Sequence, residues 1–319
     1  MYPLDRLPDQ SWNAVIRMAK PGEVEAYLVD EIIKALGLRA DSRWRLWFGL
    51  FLLPFVRGFA RVASAFDQSV AQHGFRLSAT EYLNYWAPDL QIIGKETLPE
   101  SGPLLIVANH PGTFDGLAIA SAIPRQDLKI VAAANPFFRA LPNTRRYFIY
   151  STLDVHVRMA TIRCALRHLQ NGAALLIFPS GKLDPDPMFY PMAARQALAR
   201  WSASLEMFSR KVPQARVVVA INSGFVAPQY LHSPLVRLRS SYQDKQKLAE
   251  FVQVIQQVIR NRPVSYTPSV VFTEPVSFDQ LSGNGYSVLT QIMARAAWII
   301  ENTHSGDIGQ IPDRPASVT

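Results

Sequence analysis

The stretch LLIVANHPGTFDGLAI, residues 104–119, sets a histidine and an aspartate five positions apart across a Pro-Gly turn. A carboxylate so placed can accept a hydrogen bond from one imidazole nitrogen, which fixes the tautomer and leaves the other nitrogen free to take a proton from a hydroxyl. That is two-thirds of a catalytic triad, with a substrate hydroxyl in the place of the serine. The plainer alternative is a turn histidine bonded to backbone and an aspartate favoured by the positive end of a helix. None of the other five histidines (73, 156, 168, 232, 304) has an aspartate at that offset. They read as packing or surface residues, His156 alternating with Asp154 on a presumed strand.

To carry such a pair, His110 must end a strand and Asp115 must begin a helix. LLIVA followed by NHPG and then FDGLAIASAI has that form. After Pro88 the chain repeats the theme. LQII, LLIVA, LKIVAAA, ALLIF, ARVVVAI and SVVFT are short, mostly apolar runs without polar alternation, as expected for strands covered on both faces. Helical stretches separate several of them. MATIRCALRHLQNG, residues 159–172, sets Ile162, Ala165, Leu166 and Leu169 on one face and ends at Gly172, which can take a left-handed cap. Cys164, in the same stretch, reads as packing. The expected class is α/β, a central mostly parallel or mixed sheet flanked by helices. Residues 1–88 read instead as an N-terminal helical unit, and 89–319 as the α/β domain. Val24, Tyr27, Leu28, Ile32 and Leu36 share a helical face with Gly37 as a stop, and Ser78 with Glu81 forms a capping-box pattern before YLNYW.

The 319 residues carry 49% hydrophobic and 18% charged side chains, which fits an ordered chain with one main domain and an extension. Its net charge of +8 points to an anionic partner: a phosphate ligand, an acidic carrier protein or lipid headgroups. Nucleic acid is not expected, because no basic block or aromatic-glycine signature occurs. The single cysteine excludes an internal disulfide and a cysteine-cluster metal site, and fits a reducing compartment. The first ten residues lack the apolar core of a secretory signal. Residues 46–56, LWFGLFLLPFV, are uncharged and too short to span a bilayer. Across 39–61 five arginines (39, 43, 45, 57, 61) face one aspartate, with Trp44 and Trp47 at the entrance of the run. Such a segment is either an interfacial anchor or a buried helix whose arginines reach into water.

LQIIGKETLPESGPLLIVANHPGTFDGLAI, taken whole, resembles the glycerolipid acyltransferase family, the lysophosphatidate and glycerol-3-phosphate acyltransferases. HVRMATIRCALRHLQNGAALLIFPSGK is similar to that family's second and third blocks, and VVVAINSGFVAP to its last; the likeness spans roughly 90–228. It implies that His110 is the general base that deprotonates an acceptor hydroxyl, that Asp115 orients it, and that the hydroxyl attacks the thioester of an acyl-CoA or acyl-carrier protein. Arg158 would bind the acceptor's phosphate, with Gly181 and its neighbours shaping the same pocket. Ser180 departs from the family's usual glutamate and Lys182 from its common threonine. The loss of an acid and the gain of a lysine make the expected acceptor pocket more positive.

Arg145 and Arg146 are adjacent and either meet phosphate or flank a strand as surface charges. Phe137, Phe138, Phe148 and Phe189 either line an acyl channel or pack in the core. The chain has no G-x-S-x-G elbow, no G-x-G-x-x-G fingerprint and no H-E-x-x-H motif, and Leu176 stands where a phosphate loop before Gly181-Lys182 needs a glycine. The reading is an O-acyltransferase of phospholipid biosynthesis, cytoplasmic or peripheral on a membrane, with a glycerol-phosphate or lysophospholipid acceptor. No cofactor or metal is expected, and backbone amides around Gly112 and the start of the following helix are the expected oxyanion donors. A non-catalytic acyl- or lipid-binding protein on the same fold is the alternative.

Overall fold

The computed structural model describes residues 44–302 except 135, 153, 261 and 283–285, together with 25, 28–30, 32 and 33. Two helices lead into the sheet: α1 (Trp44–His73), which contains Pro54, and α2 (Phe75–Trp86). The expected stop at Gly37 lies outside the described residues.

The α2 helix begins at Phe75 after Gly74, so Ser78 is an interior residue and not a cap. Its hydroxyl donates to the Gly74 carbonyl four residues back, at 2.9 Å. A Ser-x-x-Glu pattern looks the same at a helix start and one turn inside it.

Eight strands form one sheet: β1 (Gln91–Ile93), β2 (Leu104–Ala108), β3 (Lys129–Ala133), β4 (Phe148–Ser151), β5 (Ala174–Ile177), β6 (Arg216–Ser223), β7 (Ser269–Phe272) and β8 (Val276–Ser277). Their order is β1-β7-β6-β2-β5-β3-β4, with β8 also pairing β6. From β6 through β2, β5 and β3 to β4 every pairing is parallel, whereas β7 and β8 run antiparallel along β6. The sheet is thus mixed and mostly parallel, as the apolar runs implied.

Side chains alternate across β2 as a pleated strand requires. Leu104, Ile106 and Ala108 join a core with Val70, Phe75, Ala79 and Leu83, and with Leu248 and Ala249. Leu105 and Val107 join the opposite core. In chain order, the longer helices after α2 are α3 (Asp115–Ala122), α4 (Val155–Gln170), α5 (Tyr242–Arg260) and α6 (Val288–Asn302). Helices α1, α2, α3 and α5 cover the first face, α4 and α6 the second. Helices on both faces explain why the strands read as continuous apolar runs.

The α4 helix ends as expected, with Gly172 in the left-handed region at φ +83°. It starts earlier than expected, because Asp154 caps it by accepting the Val157 N–H at 2.9 Å. Asp154 and His156 are therefore a cap and a first-turn residue, not strand neighbours. Thr161, Ala165 and Leu169 make its buried stripe, and Cys164 is exposed beside it. The packing role expected of Cys164 is not what the helix gives it.

Ile106 has no exposed surface and lies in the central strand. Ile106→Ala removes buried volume that rigid neighbours cannot refill, so it should cost about 2–5 kcal/mol. The check is a lowered urea midpoint with an unchanged slope.

Candidate active site

Strands β5, β2 and β6 lie side by side and parallel, so the turns that leave them gather at one edge of the sheet. In an open α/β sheet, chemistry collects at that carboxyl edge. The central turn carries His110. Asn109, just before it, binds across to the end of β6: its Nδ2 donates to the Asn222 carbonyl at 2.9 Å, and the Asn222 N–H donates to its Oδ1 at 2.7 Å. These two bonds extend the β2–β6 pairing past Ala108 and fix where the turn begins.

Asp115, fully buried at the first position of α3, brings Oδ2 to 3.0 Å from His110 Nδ1. The same oxygen accepts the Gly112 N–H at 2.8 Å. An ionised carboxylate only accepts, so Nδ1 carries the proton and Nε2 keeps its lone pair. No hydrogen bond commits Nε2 among the described residues, and 34% of the His110 side chain is exposed. On one face the imidazole stacks on Phe178, ring centres 4.6 Å apart, at the exit of β5.

Burial by itself would lower the basicity of His110. The hydrogen bond to Asp115 and the negative charges of Asp115, Asp184 and Glu250 outweigh it and move the pKa above 6.5. Burial also raises Asp115, against the bonds from His110 and Gly112.

A second carboxylate supports the turn from the β5 side. The Asp184 N–H donates to the His110 carbonyl at 2.8 Å, and the His110 N–H donates back to Asp184 Oδ2 at 3.1 Å. Ser180 Oγ also donates to Oδ2, at 2.9 Å, and Arg200 Nη2 pairs with Oδ1 at 3.2 Å. Ser180 thus does not leave this turn without an acid, because Asp184 stands four residues on and is already paired. Asp186 follows with both oxygens on the Gly224 N–H, at 3.0 and 2.9 Å, and Oδ1 on the Met188 N–H at 2.9 Å. Gly224 has φ +72°, and a Cβ there would come within 2.6 Å of Met188 Cε. Burial pushes the Asp186 carboxyl up to about 6 despite these bonds.

The third buried carboxylate comes from α5. Glu250 accepts the Thr113 N–H through Oε1 at 2.7 Å and the Thr113 hydroxyl through Oε2 at 3.0 Å. Burial pushes it up to about 7. Gln246, one turn earlier on α5, donates to the carbonyls of Pro111 and Asp184 at 3.0 and 2.9 Å. The Gly112 and Thr113 amides are therefore taken by carboxylates, and the expected oxyanion donors at Gly112 are already engaged.

His110, Asp115 and Ser180 thus share one hydrogen-bonded cluster, and Gly181 and Lys182 are exposed on the same turn. Arg158 is exposed on the first turn of α4, which leaves β4 at the edge that carries His110. Arg145 and Arg146 are exposed in the turn that enters β4. Strand register puts them at the opposite end of the sheet from His110, and Arg146 covers the Tyr147 ring at 5.2 Å. Of the aromatic set, Phe148 and Phe189 pack against the first core, and Phe137 stacks on Phe59. Asp184, Asp186, Arg200, Gln246 and Glu250 were not singled out in the sequence. The only local signal for Asp184 and Asp186 is the Asp-Pro-Asp-Pro run after Gly181-Lys182, which reads as an ordinary loop.

An imidazole held by a buried carboxylate at the carboxyl edge of a doubly covered α/β sheet is chemically equipped to accept a proton. Residues 89–222 match the family model described as Acyltransferase. A comparison with curated proteins returned no match. Among solved structures the chain is similar to the 1-acyl-sn-glycerophosphate (LPA) acyltransferase PlsC from Thermotoga maritima. That likeness has 14% identity and a TM-score of 0.47, over 92% of this chain and 93% of that one.

Because the folded state raises Asp186 from 3.8 to about 6, it binds this proton more tightly than the unfolded chain does. The associated stability is fully present below 3.8 and lost as pH rises through about 6. Asp186→Asn keeps an acceptor at Oδ1 and removes the titration. It should gain on the wild type by on the order of 2–3 kcal/mol between pH 4 and 7, read as a flatter dependence of Tm on pH.

Proposed function

We propose that the protein moves a fatty acyl group from an acyl-CoA or acyl-carrier protein to a hydroxyl of a glycerol-phosphate or lysophospholipid acceptor, with His110 as general base. The observation that carries this reading is the 3.0 Å contact of His110 Nδ1 with Asp115 inside the segment that matches the Acyltransferase family model. It leaves Nε2 as the nitrogen able to act. Nε2 takes the proton of the acceptor hydroxyl as the oxygen attacks the thioester carbon. The tetrahedral intermediate then collapses, the carbon–sulfur bond breaks, and the imidazolium returns its proton to the thiolate. Asp115 stabilises the imidazolium between these steps, as its carboxylate does not leave Nδ1.

Arg158 and Lys182, exposed at the same edge of the sheet, supply positive charge for the acceptor's phosphate. An acceptor with a lipid tail also calls for a membrane surface. Leu50, Phe51, Pro54, Arg57 and Arg61 are all exposed on α1, and their spacing follows one helical face. Leu50 and Phe51 are 65% and 68% exposed, while Leu52 and Val56 are buried against Ile32 and Ile33. Among the described residues no helix is long and apolar enough to cross a membrane. A face with apolar residues at one end and arginines at the other suits an anionic lipid interface, where the helix lies flat. Phospholipid biosynthesis at a cytoplasmic membrane face is the setting this combination fits.

Acceptor-dependent release of thiol from acyl-CoA or acyl-carrier protein tests the reaction. His110→Ala should reduce it by about 10²–10⁴-fold. Because the neutral imidazole is the base, wild-type kcat/KM should rise with pH through an inflection above 6.5. Saturable lipid binding without thiol release would instead establish the non-catalytic reading.

For the surface, Leu50→Asp with Phe51→Asp should lower cosedimentation with anionic phospholipid vesicles by about tenfold or more. Turnover of a short-chain, water-soluble acceptor should be unchanged. Equal vesicle binding by variant and wild type would remove α1 as the anchor.

A further inference from the structure

Thr113 lies between His110 and Asp115, and both of its hydrogen-bond donors are claimed by one side chain that is 137 residues further along the chain. The Glu250 carboxylate accepts the Thr113 N–H and the Thr113 hydroxyl, one on each oxygen. It also packs on the neighbouring residue, since a Cβ at Gly112 would lie 3.2 Å from Oε1. Glu250 is 6% exposed. A buried carboxylate is costly unless donors are fixed around it, and here both donors belong to the turn that carries the imidazole. One helical turn earlier Gln246 holds the Pro111 carbonyl, so α5 grips this turn at two points.

These contacts bear on chemistry because a general base works only within a narrow range of positions; a misplacement of about 1 Å can cost about 10²-fold in rate. Asp115 sets which nitrogen of His110 is protonated and also holds the Gly112 N–H. It does not hold Thr113 or the Pro111 carbonyl, which depend on what α5 supplies. The Glu250 charge also acts at short range in a dry setting. It faces Asp115 and His110 from the turn, Tyr82 from α2 and Tyr266 from the segment before β7. His110 in turn is faced by Asp115, Asp184 and Glu250, and each favours its protonated form.

We propose that Glu250 is a positioning residue for His110: by clamping Thr113 through both carboxylate oxygens it fixes the turn that presents the imidazole and keeps a buried carboxylate close to that turn. The proposal rests on the reading of His110 as general base and extends the site to α5, beyond the family-matched segment 89–222. Burial that pushes Glu250 up to about 7 puts its charge within reach of ordinary pH changes.

The test uses the full chain and two variants. Glu250→Gln keeps the shape, since its oxygen can accept the Thr113 N–H and its amide can donate to Thr113 Oγ1, but the charge is gone. Glu250→Ala removes clamp and charge together. The His110 ring titration is followed by ¹H–¹⁵N NMR, with His110→Ala identifying the signal, alongside kcat and KM for thiol release. In Glu250→Gln the His110 midpoint should move to lower pH by about half a unit or more. In Glu250→Ala kcat should fall by about 10–100-fold at nearly unchanged KM, with Gln restoring most of it.

An unmoved midpoint in Glu250→Gln overturns the proposal whatever the activity, and the Gln variant decides the matter if the Ala variant does not fold. A wild type that transfers no acyl group, with the midpoint still shifted by Glu250→Gln, sinks the acyltransferase reading and leaves the Glu250–His110 coupling standing.

Discussion

A carboxylate with no exposed surface has to be met by donors, and Asp115 meets two from its own turn: the imidazole of His110 and the N–H of Gly112. One oxygen serves both, so the histidine ring and the backbone of the turn are oriented by the same atom. The strand that ends at Ala108, the Pro-Gly turn and the start of α3 are what make this contact possible. Asp184 and Glu250 repeat the device from two other directions, with side-chain oxygens on the backbone N–H of His110 and of Thr113. The seven residues from Asn109 to Asp115 are thus held mainly by side chains from elsewhere, not by regular structure of their own.

The cost of this arrangement is electrostatic. Asp115, Asp184, Asp186 and Glu250 are all shifted toward their protonated forms by burial. Their mutual repulsion adds to that at Asp115, Asp186 and Glu250. What they gain in exchange is a histidine surrounded by negative charge, which favours the imidazolium that any proton abstraction must create. Burying four carboxylates around one turn gives up some stability of the fold.

Much of this was legible locally. Apolar runs without alternation marked six of the strands, Gly172 marked the end of α4, and the histidine–aspartate spacing across a turn marked the pair that lies in contact. What was not legible came from a distance. Gln246, Glu250, Gln253 and Gln257 recur at the spacing of one helical face on α5 and are all buried. A polar stripe at that period reads as the watered side of an amphipathic helix. Here it is the inward side, because it meets open backbone groups of loops: Pro111 and Asp184 for Gln246, Thr113 for Glu250, Ala227 and Phe225 for Gln253, Trp86 for Gln257. The exposed Cys164 and the interior Ser78 were misjudged for the converse reason. Local pattern says which residues share a face and does not say what covers it.

That inward polar face has a consequence for where the working unit ends. The segment 89–222 contains the imidazole, its carboxylate partner and the five parallel strands, yet Pro111, Thr113, Phe225, Ala227 and Trp86 are tied down by side chains of residues 246–257. β7, too, is supplied from beyond that segment and runs between β1 and β6. An excised fragment would keep every residue of the recognisable signature while leaving loop carbonyls and amides to solvent and an outer strand without its neighbour. The smallest autonomous folding unit is therefore larger than its signature, and the boundary between signature and scaffold falls inside the cooperative fold.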